Sequence, residues 1–177
     1  YQNCLTVVDS DHTIVGELAE SIESDDATTW VYNLRKGVEF HNGKTMTAED
    51  VVLNYQYHMN PDTASAAGGL LSQIDTISAD GNNRVVFKLK GANADWPAIT
   101  TDYHIMIKPT KDGVVDAQSK IGTGPYIMDE FNPGVGSKFG KRNPNYFKGD
   151  SVAHFDSVEV IAINDPATRQ AALLNGE

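Results

Sequence analysis

The sequence is short of the groups that most chemistry needs. A single cysteine, Cys4, stands in 177 residues, which excludes an intramolecular disulfide and a cysteine zinc site. Basic residues are scarce: 14 Lys and Arg face 24 Asp and Glu, for a formal net charge of −10. That balance speaks against a nucleic-acid partner, whose phosphates need a basic patch, and against docking on an anionic membrane surface. No run approaches the ~18 apolar residues of a membrane-spanning helix. Residues 1–13 lack the basic start and apolar centre of a signal peptide. The chain starts at Tyr1 rather than Met, which reads as processed or trimmed material.

Catalytic signatures are missing too. The five histidines, His12, His41, His58, His104 and His154, show neither an HExxH nor a helical pair, and read as structural or surface residues. Ser, His and Asp occur without a GxSxG elbow. Glu49 and Asp50 are adjacent, so on a helix they do not face each other as a glycosidase pair must. They suit a helix N-terminus instead. Gly122-Thr123-Gly124-Pro125 lacks the Lys-Ser/Thr pair of a phosphate loop, and Pro125 removes a backbone donor, which leaves a tight turn. Lys138, Lys141, Arg142 and Lys148 surround Tyr146 and Phe147. In so acidic a chain this reads as a solvated hairpin face rather than a single-strand platform. No catalytic residue, metal ligand or cofactor site emerges.

What the sequence does hold is a foldable domain. Its length is one domain's worth, and 40% apolar with 21% charged residues is too apolar for disorder. A chain of this size buries about 70% of its unfolded surface. Residues 28–34 alternate around Trp30, Tyr32 and Leu34 as a strand does, and residues 38–41 resume it. Asn42-Gly43 marks a turn. Thr47 followed by an acid at Asp50 predicts a capped helix, with Val51, Val52, Tyr55 and Met59 on its apolar face and Pro61 ending it. Residues 64–69 (ASAAGG) read as a flexible loop. Residues 74–78 and 84–90 read as strands joined by the turn Asp80-Gly81-Asn82-Asn83. Residues 18–21 read as a helical turn. Residues 96–101 and 114–120 read as short helices, and 103–107, 126–131 and 138–142 as β-like. Residues 158–163 read as a strand buried on both faces. Asp165-Pro166 opens a final helix that Asn175-Gly176 stops. The fold class expected is mixed α/β with antiparallel parts.

Five segments, read in order, resemble one family. LRKGVEFHNG (residues 34–43), TAEDVV (47–52), IGTGPY (121–126), RNPNY (142–146) and RQAALLNGE (169–177) match signatures of the family 5 extracellular solute-binding proteins, the peptide, oligopeptide and nickel receptors of ABC importers. No one segment is specific; five in the right order are. Ile22 and Phe147 stand where members often carry Trp.

The resemblance implies a fold and a function. The fold would be a type II periplasmic-binding-protein-like first lobe of mixed sheets and short helices, incomplete, with the second lobe absent. Residues 1–108 would form its smaller subdomain, and 109–177 part of the larger one, ending at the hinge. The protein would be the solute-binding component of an ABC importer, periplasmic or membrane-tethered outside the cell. It would close on a small solute, with a peptide expected, and deliver it to the permease subunits. It would be no enzyme and need no cofactor. The loop after the capped helix would border the cleft through the small residues Ala66, Ala67 and Gly68, with Gly69 beside them. Asp102 and Tyr103 would also approach it, Tyr103 stacking on ligand or simply packing. A partner-binding module and an enzyme of unknown type are the competing readings. A fragment of this kind would expose core surface and self-associate.

Overall fold

A computed structural model describes residues 1–176. Glu177, the last residue of the fifth segment, lies outside the described residues. Thr6–Val8 (β1) and Ile14–Gly16 (β2) pair antiparallel across a turn in which the Asp9 carboxylate accepts from the Asp11 and Thr13 amides, both at 2.9 Å. Ala19–Glu23 (β3), Thr29–Leu34 (β4), Ile74–Ala79 (β5) and Arg84–Leu89 (β6) form a four-stranded antiparallel sheet of order β3-β4-β6-β5. The predicted Asp80–Asn83 turn joins β5 to β6.

Ala48–Met59 (α1) lies against this sheet. Its start is the predicted one: Thr47 and Asp50 complete a reciprocal capping box. Core formation follows from the alternation in β4 and β6 and the apolar stripe of α1. Phe87 sits at the centre, its ring 5.1 Å from Tyr32, 5.0 Å from Tyr55 and 5.3 Å from Trp96, all fully buried. Such edge-on arrangements suit aromatic quadrupoles.

Short elements complete the chain. Gly68–Leu71 (α2) and Trp96–Ile99 (α3) are single turns. Thr110–Lys111 (β7) and Val114–Val115 (β8) make a small hairpin. Tyr126–Ile127 (β9) pairs with Lys141–Arg142 (β12). Glu130–Asn132 (β10), Gly136–Phe139 (β11) and Val158–Ile161 (β13) form a sheet of order β10-β11-β13. Pro166–Asn175 (α4) is capped by Asp165, and Gly176 follows with φ 74°.

Several expectations need correction. Residues 18–21 are not helical: β3 begins at Ala19 and pairs with β4. Beyond Arg35, residues 38–41 carry one bridge, Glu39 to Thr45, rather than a strand. Residues 103–107 form a turn, because Asp102 accepts from the His104 amide at 2.9 Å and from the Ile105 amide at 2.9 Å. Residues 114–120 are not a helix. Asp112 and Gly113 both have positive φ, 53° and 77°, the geometry of a two-residue hairpin turn, so Val114 leaves in a strand. The strand expected over 126–131 is broken into β9 and β10, and 138–142 is divided between β11 and β12. β13 exists but is not buried: Val160 and Ile161 are 53% and 65% exposed, since β11 is its one strand neighbour among the described residues. The 64–69 stretch is more ordered than a loop, with α2 starting at Gly68 and Ala67 inside the core.

Candidate functional site

A cavity of about 280 Å³ opens where three stretches meet. The C-terminal half of α1 supplies Asn54, Tyr57 and His58, with Ser65 from the loop that follows. The 103–108 segment supplies Tyr103, His104, Met106 and Lys108. Gln2 closes one end, and Val115 and Ala117 the other. The volume lies near the lower bound of ordinary ligand pockets.

Each wall is held by backbone-directed bonds. Asn54 donates to the carbonyls of Asp50 and Lys108, both at 2.8 Å, and accepts from the Lys108 amide at 3.1 Å. One buried amide therefore fixes the 103–108 segment to α1. Ile107 donates to Asn3 at 3.1 Å, which brings the N-terminal stretch and Gln2 alongside. Asp112-Gly113 folds β8 back, so Val115 and Ala117 reach the same cavity.

The side chains at the rim are paired. His58 Nδ1 lies 2.7 Å from Ser65 Oγ. His104 Nδ1 lies 2.8 Å from Asp102 Oδ1. The Tyr103 and His104 rings are 4.0 Å apart at 34°. Lys108 Nζ donates to the Ala117 carbonyl. Burial, then the charges of Lys108 and His104, lower the His58 pKa and so favour the neutral ring. Burial also lowers Lys108, against the opposing pull of Asp116.

The expected site residues fall into two sets. Tyr103 lines the cavity and is 69% exposed. Asp102 is half-buried behind it, holding His104, and its carbonyl accepts from Cys4 Sγ at 3.3 Å. Ala66 is exposed and Gly68 half-buried beside the cavity, but Ser65 is the lining residue of that loop. Ala67 is fully buried, so its methyl faces the core. The sequence reading gave no site role to Gln2 or Lys108 and took His58 and His104 for structural or surface residues, yet all four line the cavity with Tyr57. His58 and His104 are 46 positions apart in the chain, and no local spacing marks their meeting. Cys4 is buried, and burial with the nearby Asp102 and Glu17 charges pushes its thiol up to about 12, so it is not a nucleophile. Among the described residues no group of three or more His, Cys, Asp and Glu could hold a metal ion. Among them, too, no helix is long and apolar enough to cross a membrane.

Comparison with known proteins gives consistent answers. Residues 13–177 match the family model for bacterial extracellular solute-binding proteins, family 5 (middle). The chain is 29% identical over 184 residues to the oligopeptide-binding protein AppA of Bacillus subtilis, covering 98% of this chain and 33% of that protein. It is 30% identical over 179 residues to the glutathione-binding protein GsiB of Pectobacterium atrosepticum, covering 96% and 34%. The solved structure of B. subtilis AppA in complex with a nonapeptide superposes with a TM-score of 0.84 at 26% identity, covering 99% of this chain and 36% of that one. The chain thus spans about a third of the length of the curated relatives it matches.

Proposed function

Since the chain belongs to the bacterial extracellular solute-binding proteins of family 5, we propose that it forms part of the solute-binding component of an ABC importer. The solute proposed is a peptide, and the cavity beside Tyr103 is one wall of its cleft. The observation that carries this is the position of that cavity. It sits between the loop after α1 and the 103–108 segment, in a chain that matches an oligopeptide-binding protein along nearly its whole length. Tyr103 offers an exposed aromatic face, Asp102 fixes its neighbour His104, and the backbone around Ala66, Ala67 and Gly68 forms the opposite shoulder.

The mechanism is binding, not chemistry. Solute contacts favour a closed arrangement over an open one, and the closed form is what the permease subunits accept. No cofactor takes part, and the protein works outside the cytoplasm, periplasmic or tethered to the membrane. The division at residue 108 belongs to the same proposal. The four-stranded sheet and its core precede that point, and the β10-β11-β13 sheet follows it.

Native mass spectrometry of the intact natural protein carrying this chain tests the reading. A retained mass that fragments into amino acids, with contraction in small-angle scattering when the solute is restored, is the expected result. Tyr103→Ala should weaken retention about tenfold, the worth of one aromatic contact, with little change in Tm because the ring is exposed. A protein that retains nothing and does not contract with any tri- to pentapeptide would overturn it.

A further inference from the structure

The cavity beside Tyr103 runs against the charge of the rest of the molecule. The chain carries 24 Asp and Glu against 14 Lys and Arg. Yet Lys108, His58 and His104 line the cavity, and among the described residues no Asp or Glu does. The hydrogen bonds around these residues are met by one assignment of the ring protons, which we adopt. Ser65 Oγ accepts from the Ala67 amide at 3.2 Å, so its own hydrogen is free to go to His58 Nδ1. That leaves the proton of neutral His58 on Nε2. The Asp102 carboxylate can only accept, so His104 Nδ1 is the protonated nitrogen of that ring. Neither Nε2 has a partner among the described residues.

A third donor is more telling. Gln2 Nε2 is buried and has no hydrogen-bond partner among the described residues, and Gln2 is one of the residues that line the cavity. Buried amide hydrogens left unpaired are costly, and they are usually met by something the bare chain does not supply. Lys108 Nζ uses one of its three hydrogens on the Ala117 carbonyl and keeps the rest.

We propose that this wall receives a carboxylate of the bound solute, with His58 Nε2 and Gln2 Nε2 as neutral donors and Lys108 as the balancing charge. The proposal rests on the reading of this cavity as the solute site and names the chemistry that the site selects. The donors match a carboxylate's demand for several hydrogen bonds, and a bond from the charged Lys108 is stronger than a neutral one. The groups facing the two imidazoles are Lys108, the Asp102 carboxylate and the Tyr57 and Tyr103 rings, and Asp116 acts on Lys108.

Calorimetric titration of the intact natural protein with three probes tests this: trialanine with a free C-terminus, trialanine amide, and succinate. The expected result is that at least one carboxylate probe binds tenfold or more tighter than the amide. Preference for trialanine over succinate assigns the carboxylate to a peptide end, and the reverse assigns it to a free acid. In His58→Gln and Gln2→Ala the acid-to-amide ratio should fall below three. Gln2→Ala changes an extended segment outside the core, so it guards against a variant that fails to fold. Acid and amide binding equally well would overturn the carboxylate proposal and leave the solute-site reading standing. If no probe and no tri- to pentapeptide mixture bound, both would fall.

Discussion

His41 Nε2 donates to the carbonyl of Gly124 at 2.9 Å, while its Nδ1 accepts from the Gly122 amide at 3.2 Å. The backbone amide of His41 completes the clamp on the Gly122 carbonyl at 2.8 Å. Two sequence segments, 34–43 and 121–126, are thereby bound to each other. Only a neutral imidazole with its proton on Nε2 can make both ring bonds.

Stability should therefore fall on mild acidification. Burial lowers the His41 pKa, the Gly124 bond opposes this, and the N-terminal ammonium adds to the lowering. His58 is lowered as well, by burial and then by Lys108 and His104. For a base whose folded pKa lies below its unfolded value of about 6.5, the unfolded chain binds more protons in the window between the two. The Tm should be flat above pH ~7.5, drop as pH falls through ~6.5, and level off below the folded values. His41→Gln should cost roughly 1–2 kcal/mol at pH 8 through its lost amide acceptor, and should flatten the slope. An unchanged slope in His41→Gln combined with His58→Gln would count against this assignment.

The same clamp explains why both glycines of the turn matter. A Cβ on Gly122 would come within 2.2 Å of the Tyr1 carbonyl oxygen, and one on Gly124 within 2.5 Å of the Tyr1 carbonyl carbon. These are backbone atoms, and Gly124 donates to Tyr1 at 2.9 Å. Gly124→Ala should cost about 1–3 kcal/mol in urea denaturation. Removing residues 1 and 2 from both the parent chain and the Gly124→Ala variant should erase most of the difference between them. If it does not, the crowding lies elsewhere.

A second anchor is Asp50, fully buried at the start of α1. Oδ1 accepts from the Thr110 hydroxyl at 2.5 Å, the Thr110 amide at 3.1 Å, and Lys44. Oδ2 accepts from the Thr47 amide at 2.9 Å and hydroxyl at 3.0 Å. Burial alone would raise its pKa, but the bonds from Lys44, Thr110 and Thr47 outweigh it and the net shift is downward. Its contribution is therefore present above ~3.9 and lost as pH falls through the folded value, a window below the histidine one. Asp50→Ala should destabilise by about 3–5 kcal/mol, since it strands buried donors. Lys44→Met should cost ~1 kcal/mol or less, the lysine being partly exposed. Equal costs would show that the ion pair, not the hydrogen-bond hub, is what matters.

The capping role of Asp50 was legible because Thr47 and Asp50 are three residues apart, and local spacing is what a sequence displays. The Asp80–Asn83 turn and the Asp165 cap were legible for the same reason. The link from Asp50 to Thr110 spans 60 positions and leaves no pattern. Asp112-Gly113 is a hairpin dipeptide that the reading of residues 114–120 as a helix left out of account. Tyr103–Ile107 has the composition of a strand, but Asp102 holds its first residues in a turn. The cavity is the extreme case, since it gathers residues from positions 2, 54–58, 65, 103–108 and 115–117. Tyr103 was found through resemblance, and the basic character of the wall was not found at all.

The last helix leaves its apolar side chains uncovered. No described residue of α4 is buried, and Leu173 and Leu174 are 79% and 78% exposed. Phe155, Ile161 and Val135 are exposed on the neighbouring stretches, and β13 has a free edge among the described residues. Scattered apolar residues are ordinary on a surface, but an adjacent pair of exposed leucines and an open strand edge each favour association. Produced alone at roughly 10–100 µM, the 177-residue chain should sediment as a concentration-dependent mixture of monomer and larger species. Leu173→Ser with Leu174→Ser should shift the mixture towards monomer without lowering Tm, because neither side chain belongs to the core. A chain that stays monomeric throughout, or a double variant that associates as strongly as the parent, would show that these leucines do not drive contact between copies.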